Sequence, residues 1–244
     1  GNLGGHLMFF NFGTDKPGID ALGPSERLRR LGAQLVNRLS SEKLRSVVIY
    51  FDTFLSPAAK LTLDASDAAY ALIEGMGLAA YEIKNYRTEQ KPKAGAFEVE
   101  LVTSGAKKVS AVNEGLEQAE AMLSGTYVCR DLSNEPSNIL YPEALAQEAK
   151  KLSTKYGLTC TILDEKALQK EKMGLLLGVG QGSVKPPRLV ALEYNPKGGK
   201  KAPTIALVGK GVTFDSGGIS IKPSGKMEDM KHDMTGAATC MGAI

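Results

Sequence analysis

An α/β fold is predicted by three observations in the 244-residue sequence. Short apolar runs of strand length recur, stretches with a helical apolar period separate them, and Gly/Pro pairs punctuate the joins. Alternation of that kind stacks helices on a sheet. An apolar fraction of 43% against 23% charged residues supplies enough nonpolar side chain for a sizeable core, in one or two domains.

The opening Leu7-Met-Phe-Phe-Asn-Phe12 reads as a buried strand, with Pro17-Gly18 and Gly23-Pro24 as turns. Ser25 suits the N-cap of a helix running to about Leu39, which places Leu28, Leu31, Leu35 and Leu39 on one face. Its basic residues Arg27, Arg29, Arg30 and Arg38 read as a solvated face rather than an anion site. A second strand covers Ser46 to Phe51. A helix from about Ser66 to Tyr86, a Lys/Pro/Gly loop from Lys91 to Gly95, and a strand at Phe97 to Val102 follow. A helix from about Val109 to Leu132 carries Val112, Leu116, Ala119, Met122 and Leu123 as an apolar stripe and is expected to connect two domains.

Asn134-Glu-Pro-Ser-Asn138 breaks the pattern, and Pro142 is well placed as the first residue of a helix to about Tyr156. Leu158 to Leu163 is a strand, a short helix ends near Met173, and Arg188 to Tyr194 is a further strand. Asn195-Pro-Lys-Gly-Gly199 turns the chain into an apolar strand, Thr204 to Val208. That strand delivers a loop of small residues bearing Lys210, Asp215, Lys222 and Asp233. Glycines at 209, 211, 217, 218 and 225 allow its backbone to turn sharply and to approach a ligand.

Composition excludes several classes. No run of about 18 apolar residues offers a membrane span. The net charge of +3 comes from dispersed basic residues, which argues against a nucleic-acid partner. Cys129, Cys160 and Cys240 form neither a metal-ligand spacing nor a disulfide framework, which favours a reducing, cytoplasmic compartment. Gly178-x-Gly180-x-Gly182 matches part of a dinucleotide fingerprint, but Pro186-Pro187 and a strand follow it instead of a helix. His6 has no evident role, and His232 reads as a supporting or surface residue beside Asp233. Two histidines without a His-x-x-x-His pair exclude a histidine-based zinc peptidase within this chain. Ser216 and Ser220 lack a histidine partner for a serine triad.

Asp215 and Asp233 are hard oxygen donors suited to a divalent cation, and one carboxylate can bridge two ions. Lys210 could ligate only as a neutral amine, its proton displaced by nearby cations. Lys222 could stay charged and stabilise a developing oxyanion. The spacing alone is equally compatible with a glycine-rich loop held by Lys–Asp pairs.

Three segments carry a resemblance. Val208-Gly-Lys-Gly-Val-Thr-Phe-Asp-Ser-Gly-Gly-Ile-Ser-Ile-Lys222, followed by Met230-Lys-His-Asp233-Met-x-Gly-Ala-Ala238, resembles the metal-site segment of the leucine (cytosol) aminopeptidase family. Arg130-Asp-Leu-x-Asn134-x-Pro-Ser-Asn138 and Val179-Gly-Gln-Gly-Ser183-x-x-Pro-Pro-Arg-Leu189 resemble it in the same order. The resemblance implies a small N-terminal α/β domain over residues 1–108, a linking helix over 109–133, and the first part of an α/β/α catalytic domain with a mixed central sheet over 134–244.

It also implies a metallo-exopeptidase that releases N-terminal, preferentially leucine-like residues from peptides by attack of a water activated by two metals. Lys210 and Asp233 would serve the tighter metal, and Asp215 would bridge both. Lys222 would be the catalytic lysine, and Met230 would line the pocket for the first side chain. The ions implied are Zn²⁺ or Mn²⁺, with Mg²⁺ or Co²⁺ as further candidates, and bicarbonate would act as general base. The relatives form homo-hexamers, and the same is expected here. The rival expectation is a non-catalytic structural or DNA-binding member of the family.

The family's second signature, Asn-Thr-Asp-Ala-Glu-Gly-Arg, which supplies two more carboxylates, is absent from the sequence. It is expected beyond Ile244, with both ends of the chain read as cuts and residues 1–244 expected to be inactive alone.

Overall fold

A computed structural model describes residues 22–56, 59, 61–83, 86, 88, 97–196 and 203–244. The expected strand Leu7–Phe12, the Pro17-Gly18 turn, His6 and the Lys91–Gly95 loop lie outside these residues, and the Asn195–Gly199 turn lies only partly within them. The fold is α/β. The chain divides into two compact units, Gly1–Leu123 and Ser124–Ile244, at a point inside one long helix.

In the first unit, helix α1 spans Pro24–Ser41. Pro24 takes its first position and Gly23 the N-cap, so the Ser25 cap expected from the sequence does not form. The fixed φ of proline suits the first turn, where its missing N–H would have no intrahelical partner. Leu28, Leu31, Leu35 and Leu39 are all buried, as their spacing predicts. Each contributes roughly 1.5–3 kcal/mol by leaving water.

Strand β1, Ser46–Tyr50, pairs in parallel with β2, Glu98–Val102, from Ser46 opposite Glu98 to Tyr50 opposite Val102. Parallel neighbours need a crossover. Helix α2, Ala65–Ala80, lies in that connection, with the Asp64 carboxylate capping it by accepting from the Asp67 N–H at 2.8 Å. α2 is shorter than the helix to Tyr86 expected from the sequence, because Tyr81 turns extended.

α1 lies directly on α2. A Cβ at Gly75 would stand 2.0 Å from the Arg29 carbonyl oxygen, and one at Gly32 would stand 2.3 Å from that of Leu72. Neither site has room for a side chain, and the Arg29 guanidinium and Glu74 carboxylate join the two helices at the same crossing. Leu28, Leu39, Phe51, Leu72 and Val112 are part of the core between helices and sheet.

Asp52 ties this unit together locally. It lies in the 3-10 turn Phe51–Thr53 and accepts from the Thr103 hydroxyl at 2.7 Å, the Ser104 hydroxyl at 2.6 Å, the Ser104 N–H at 3.1 Å and the Lys108 ammonium at 3.2 Å. These donors, the Ser104 hydroxyl foremost, hold its carboxyl well below the usual aspartate range. A depressed folded-state pKa stabilises the fold above the unfolded value of about 4, and the benefit is lost as pH falls below it. Asp52→Asn is therefore expected to lower the urea midpoint at neutral pH, with the gap to wild type closing on acidification. A gap independent of pH would show that Asp52 acts through its shape alone.

Helix α3 spans Ala106–Asn134. Val112 and Ala119 are buried, and Leu116 and Leu123 are half-buried. Met122, placed on the same stripe from sequence, is 49% exposed. At about 100° per residue it sits roughly 80° away from the line through 112, 116, 119 and 123.

In the second unit, α4 spans Pro142–Tyr156, with Pro142 at its first position and Gly157 at φ +69° closing it. Left-handed backbone there is the usual glycine exit from a helix. β3, Thr159–Leu163, pairs antiparallel with β4, Leu189–Glu193, and α4 packs on both. The short helices α5, Glu165–Lys170, and α6, Gly174–Gly180, lie between the strands in sequence. α6 was not expected from the sequence. It puts Gly178 and Gly180 in its last turn, whereas a phosphate-cradling turn leads into a helix N-terminus.

The Thr204–Val208 run forms no paired strand among the described residues, and Ile205 and Val208 are 82% and 93% exposed. A strand exists only through a ladder partner, and β3 and β4 spend their described pairing on each other. The chain ends with a 3-10 helix, Met227–Met234, and α7, Thr235–Ala243. Among the described residues no helix is long and apolar enough to cross a membrane.

Candidate functional site

α7 is the platform of the site. A Cβ at Gly125 of α3 would lie 2.1 Å from the Gly242 carbonyl oxygen, and one at Gly242 would lie 2.3 Å from that of Gly125. The two helix backbones therefore touch where they cross. Leu132, Leu140, Leu145, Met234 and Ala238 bury a small core beside that crossing.

The last carbonyls of α3 hold the segment leading into α7. Such carbonyls have no intrahelical partner and form the negative end of the helix dipole. The Lys231 ammonium donates to the Asn134 carbonyl at 3.1 Å, and His232 Nδ1 lies 2.6 Å from the Ser133 carbonyl. With a carbonyl as acceptor, Nδ1 carries the hydrogen. The Thr235 hydroxyl donates to the Ser133 hydroxyl at 3.0 Å. His232 is thus an anchor through Nδ1, the supporting role that its lone position suggested. Ser133 and Asn134 were missed as anchors, although the motif that contains them was visible.

Lys210 is fixed from the other side. A Cβ at Gly209 would fall 2.4 Å from the Gly236 carbonyl oxygen and 2.6 Å from the Ala237 Cα, so only glycine lets this backbone reach the first turn of α7. The Lys210 carbonyl accepts from the Ala237 N–H at 2.8 Å, satisfying one of the free donors of that turn. Lys210 Nζ then reaches Asp233 Oδ1 at 2.8 Å.

The loop between folds back on itself. Gly217 has φ +88° and no room for a Cβ, which would meet the Ser220 carbonyl oxygen at 2.3 Å. The Lys222 N–H donates to the Ser216 carbonyl at 2.9 Å and closes the turn. Asp215 Oδ1 accepts from the Gly217 N–H at 2.9 Å, and its Oδ2 accepts from Lys222 Nζ at 2.9 Å. Lys222 Nζ also reaches Met230 Sδ at 3.0 Å, which places Met230 beside the expected catalytic lysine.

The electrostatics follow these pairs. The Asp233 carboxylate raises the Lys210 pKa, with Asp215 adding to the same field. The Lys222 ammonium, and then the Gly217 N–H, lower that of Asp215. The two pairs are the Lys–Asp pairing that the spacing allowed as its plainer reading.

One atom is left over. Asp233 Oδ2 is buried with no hydrogen-bond partner among the described residues, on a side chain only 20% exposed. An ionised oxygen shut from water without a donor is costly, and a cation removes that cost. Two carboxylates and an amine that can lose its proton form a hard donor set of the right chemistry for a divalent ion. It is a partial set: among the described residues no group of three or more His, Cys, Asp or Glu side chains comes together.

Comparison with known proteins matches the two parts of the chain separately. Residues 18–90 match the cytosol aminopeptidase family, N-terminal domain, and residues 127–244 match the cytosol aminopeptidase family, catalytic domain. A probable cytosol aminopeptidase of Geotalea uraniireducens is 36% identical over 231 residues, 91% of this chain and 46% of the relative. One from Brucella melitensis biotype 1 is 46% identical over 191 residues, 78% of this chain and 39% of the relative.

Among solved structures, the bottromycin maturation enzyme BotP in complex with Mn superposes with a TM-score of 0.71 at 34% identity, covering 90% of this chain and 43% of its own. The cytosol aminopeptidase of Coxiella burnetii superposes at 0.66 with 28% identity, covering 89% and 40%. The chain spans about half the length, or less, of the curated relatives it matches.

Proposed function

Since the chain belongs to the cytosol aminopeptidase family, we propose that its protein is a metal-dependent aminopeptidase releasing N-terminal, preferentially leucine-like residues from peptides. The observation that carries this reading is the buried Oδ2 of Asp233, without a hydrogen-bond partner among the described residues, beside the Lys210–Asp233 pair of 2.8 Å. Lys210 and Asp233 would hold one divalent ion, Zn²⁺ or Mn²⁺, and Asp215 would be shared with a second. Such ions supply Lewis acidity and local positive charge at neutral pH. The further carboxylates and the bicarbonate site implied by the family's second signature are not among residues 1–244.

The chain's own residues divide the remaining work. Lys222 keeps its charge and stabilises the negative charge that develops on the scissile carbonyl oxygen. The Gly217 turn fixes how far Lys222 stands from Asp215. Met230 borders the space for the first side chain and favours apolar residues there. The anchors at Ser133 and Asn134 keep the helix bearing Met230 and Asp233 in register with α3. A cytoplasmic homo-hexamer acting on peptides completes the reading, following the relatives' name and the resemblance.

The test is hydrolysis of a leucine anilide by a full-length protein carrying these residues. Activity should fall on chelation and return with Mn²⁺ or Zn²⁺, while residues 1–244 alone release nothing. A full-length protein that stays inactive with metal restored would overturn the enzyme reading.

A further inference from the structure

We infer that the sulfur of Met230 is a positioning contact for Lys222, beyond forming a wall of the substrate pocket. Among the described residues Lys222 Nζ has two acceptors, Asp215 Oδ2 at 2.9 Å and Met230 Sδ at 3.0 Å. They differ in kind. Asp215 is a carboxylate, and it is drawn on by any cation that enters the site. Met230 is neutral, and its thioether accepts weakly without neutralising the ammonium.

A lysine side chain must give up the freedom of several rotatable bonds before it points one way. The Met230 contact orders it from a fixed base, because the 3-10 helix Met227–Met234 is held by Lys231 on the Asn134 carbonyl, His232 on the Ser133 carbonyl and Asp233 on Lys210. Lys222 therefore stays aimed when Asp215 is engaged elsewhere. The catalytic consequence rests on the aminopeptidase reading, whereas the contact itself does not.

The contact has a chemical signature. In oxidation by a hydroperoxide, the sulfur lone pair attacks a peroxide oxygen. The O–O bond breaks, an S–O bond forms, the proton of the transferred oxygen passes to the departing one, and methionine loses two electrons to become the sulfoxide, so that hydrogen peroxide leaves as water. A lone pair engaged by an ammonium N–H is a poorer nucleophile, so Lys222 shields Met230.

The experiment treats the 244-residue chain with limiting hydrogen peroxide and follows each methionine by peptide mass spectrometry. In Lys222→Leu, which keeps an apolar cover over the sulfur, Met230 should oxidise about twofold faster than in wild type, the low end of what one hydrogen bond is worth, as suits a weak acceptor. Met227 on the same helix serves as the internal reference. Equal Met230 rates in the two proteins would overturn the inference.

In the full-length protein, Met230→Leu should lower kcat by a similar factor with KM little changed. Met230→Gln, whose amide oxygen can accept from Lys222, should recover part of the loss. A raised KM with unchanged kcat would reduce Met230 to a pocket wall. A full-length wild type with no activity would sink the aminopeptidase reading and leave the oxidation rates to decide the contact.

Discussion

Replacing Lys222 with alanine is expected to lower kcat for leucine anilide by about 10²–10³-fold, the usual cost of removing one preorganised group that stabilises an oxyanion. KM should change much less, because Lys222 is proposed to act on charge that develops only in the transition state. The substitution also frees Asp215 Oδ2 from its 2.9 Å partner, so the folded state must be checked by its denaturation midpoint. Lys222→Arg separates charge from geometry: it keeps the cation but spreads it over a planar fork, and it should restore only part of the rate. A Lys222→Ala enzyme within about threefold of wild-type kcat would remove Lys222 from the chemistry.

The largest stability effect is expected at Phe51. Its side chain is 0% exposed, and its ring meets that of Phe54 edge-on with centroids 5.9 Å apart. It belongs to the same core as Leu28, Leu39 and Leu72, under the α1–α2 layer. Phe51→Ala removes that apolar area and leaves a cavity that the closely crossed helices cannot collapse into, because Gly32 and Gly75 already bring their backbones into contact. The expected loss is about 3–5 kcal/mol, a large share of the roughly 5–15 kcal/mol that holds a domain folded. Urea unfolding of the chain should show it as a lower midpoint, and Phe51→Leu should cost well under half as much. A shift below about 1 kcal/mol for Phe51→Ala would mean that the first unit can repack around the loss.

The sequence by itself determined what depends on near neighbours. The leucines at 28, 31, 35 and 39 put one face of α1 into the core because their spacing matches the helical turn. Pro142 opened α4, and the Asn134-Glu-Pro break ended α3, because proline restricts its own backbone and that of the residue before it. The ordered motifs around Arg130, Gly180 and Lys210 carried the family, since a motif is a local string.

Tertiary structure decided what depends on distant residues. Spacing named Lys210, Asp215, Lys222 and Asp233 but not their pairing, because Lys210 meets Asp233 only after Gly209 has brought its backbone against α7. His232 became an anchor through Ser133, 99 positions away in sequence. α2 stopped at Ala80, where Tyr81 turns extended, and Thr204–Val208 stayed unpaired for want of a ladder partner among the described residues. The orphaned oxygen of Asp233 was legible in no string of residues: burial is set by whatever the whole fold packs around an atom. Periodicity and chain stiffness act within a few residues, whereas pairing, burial and charge are settled by distances in space, which only the folded chain fixes.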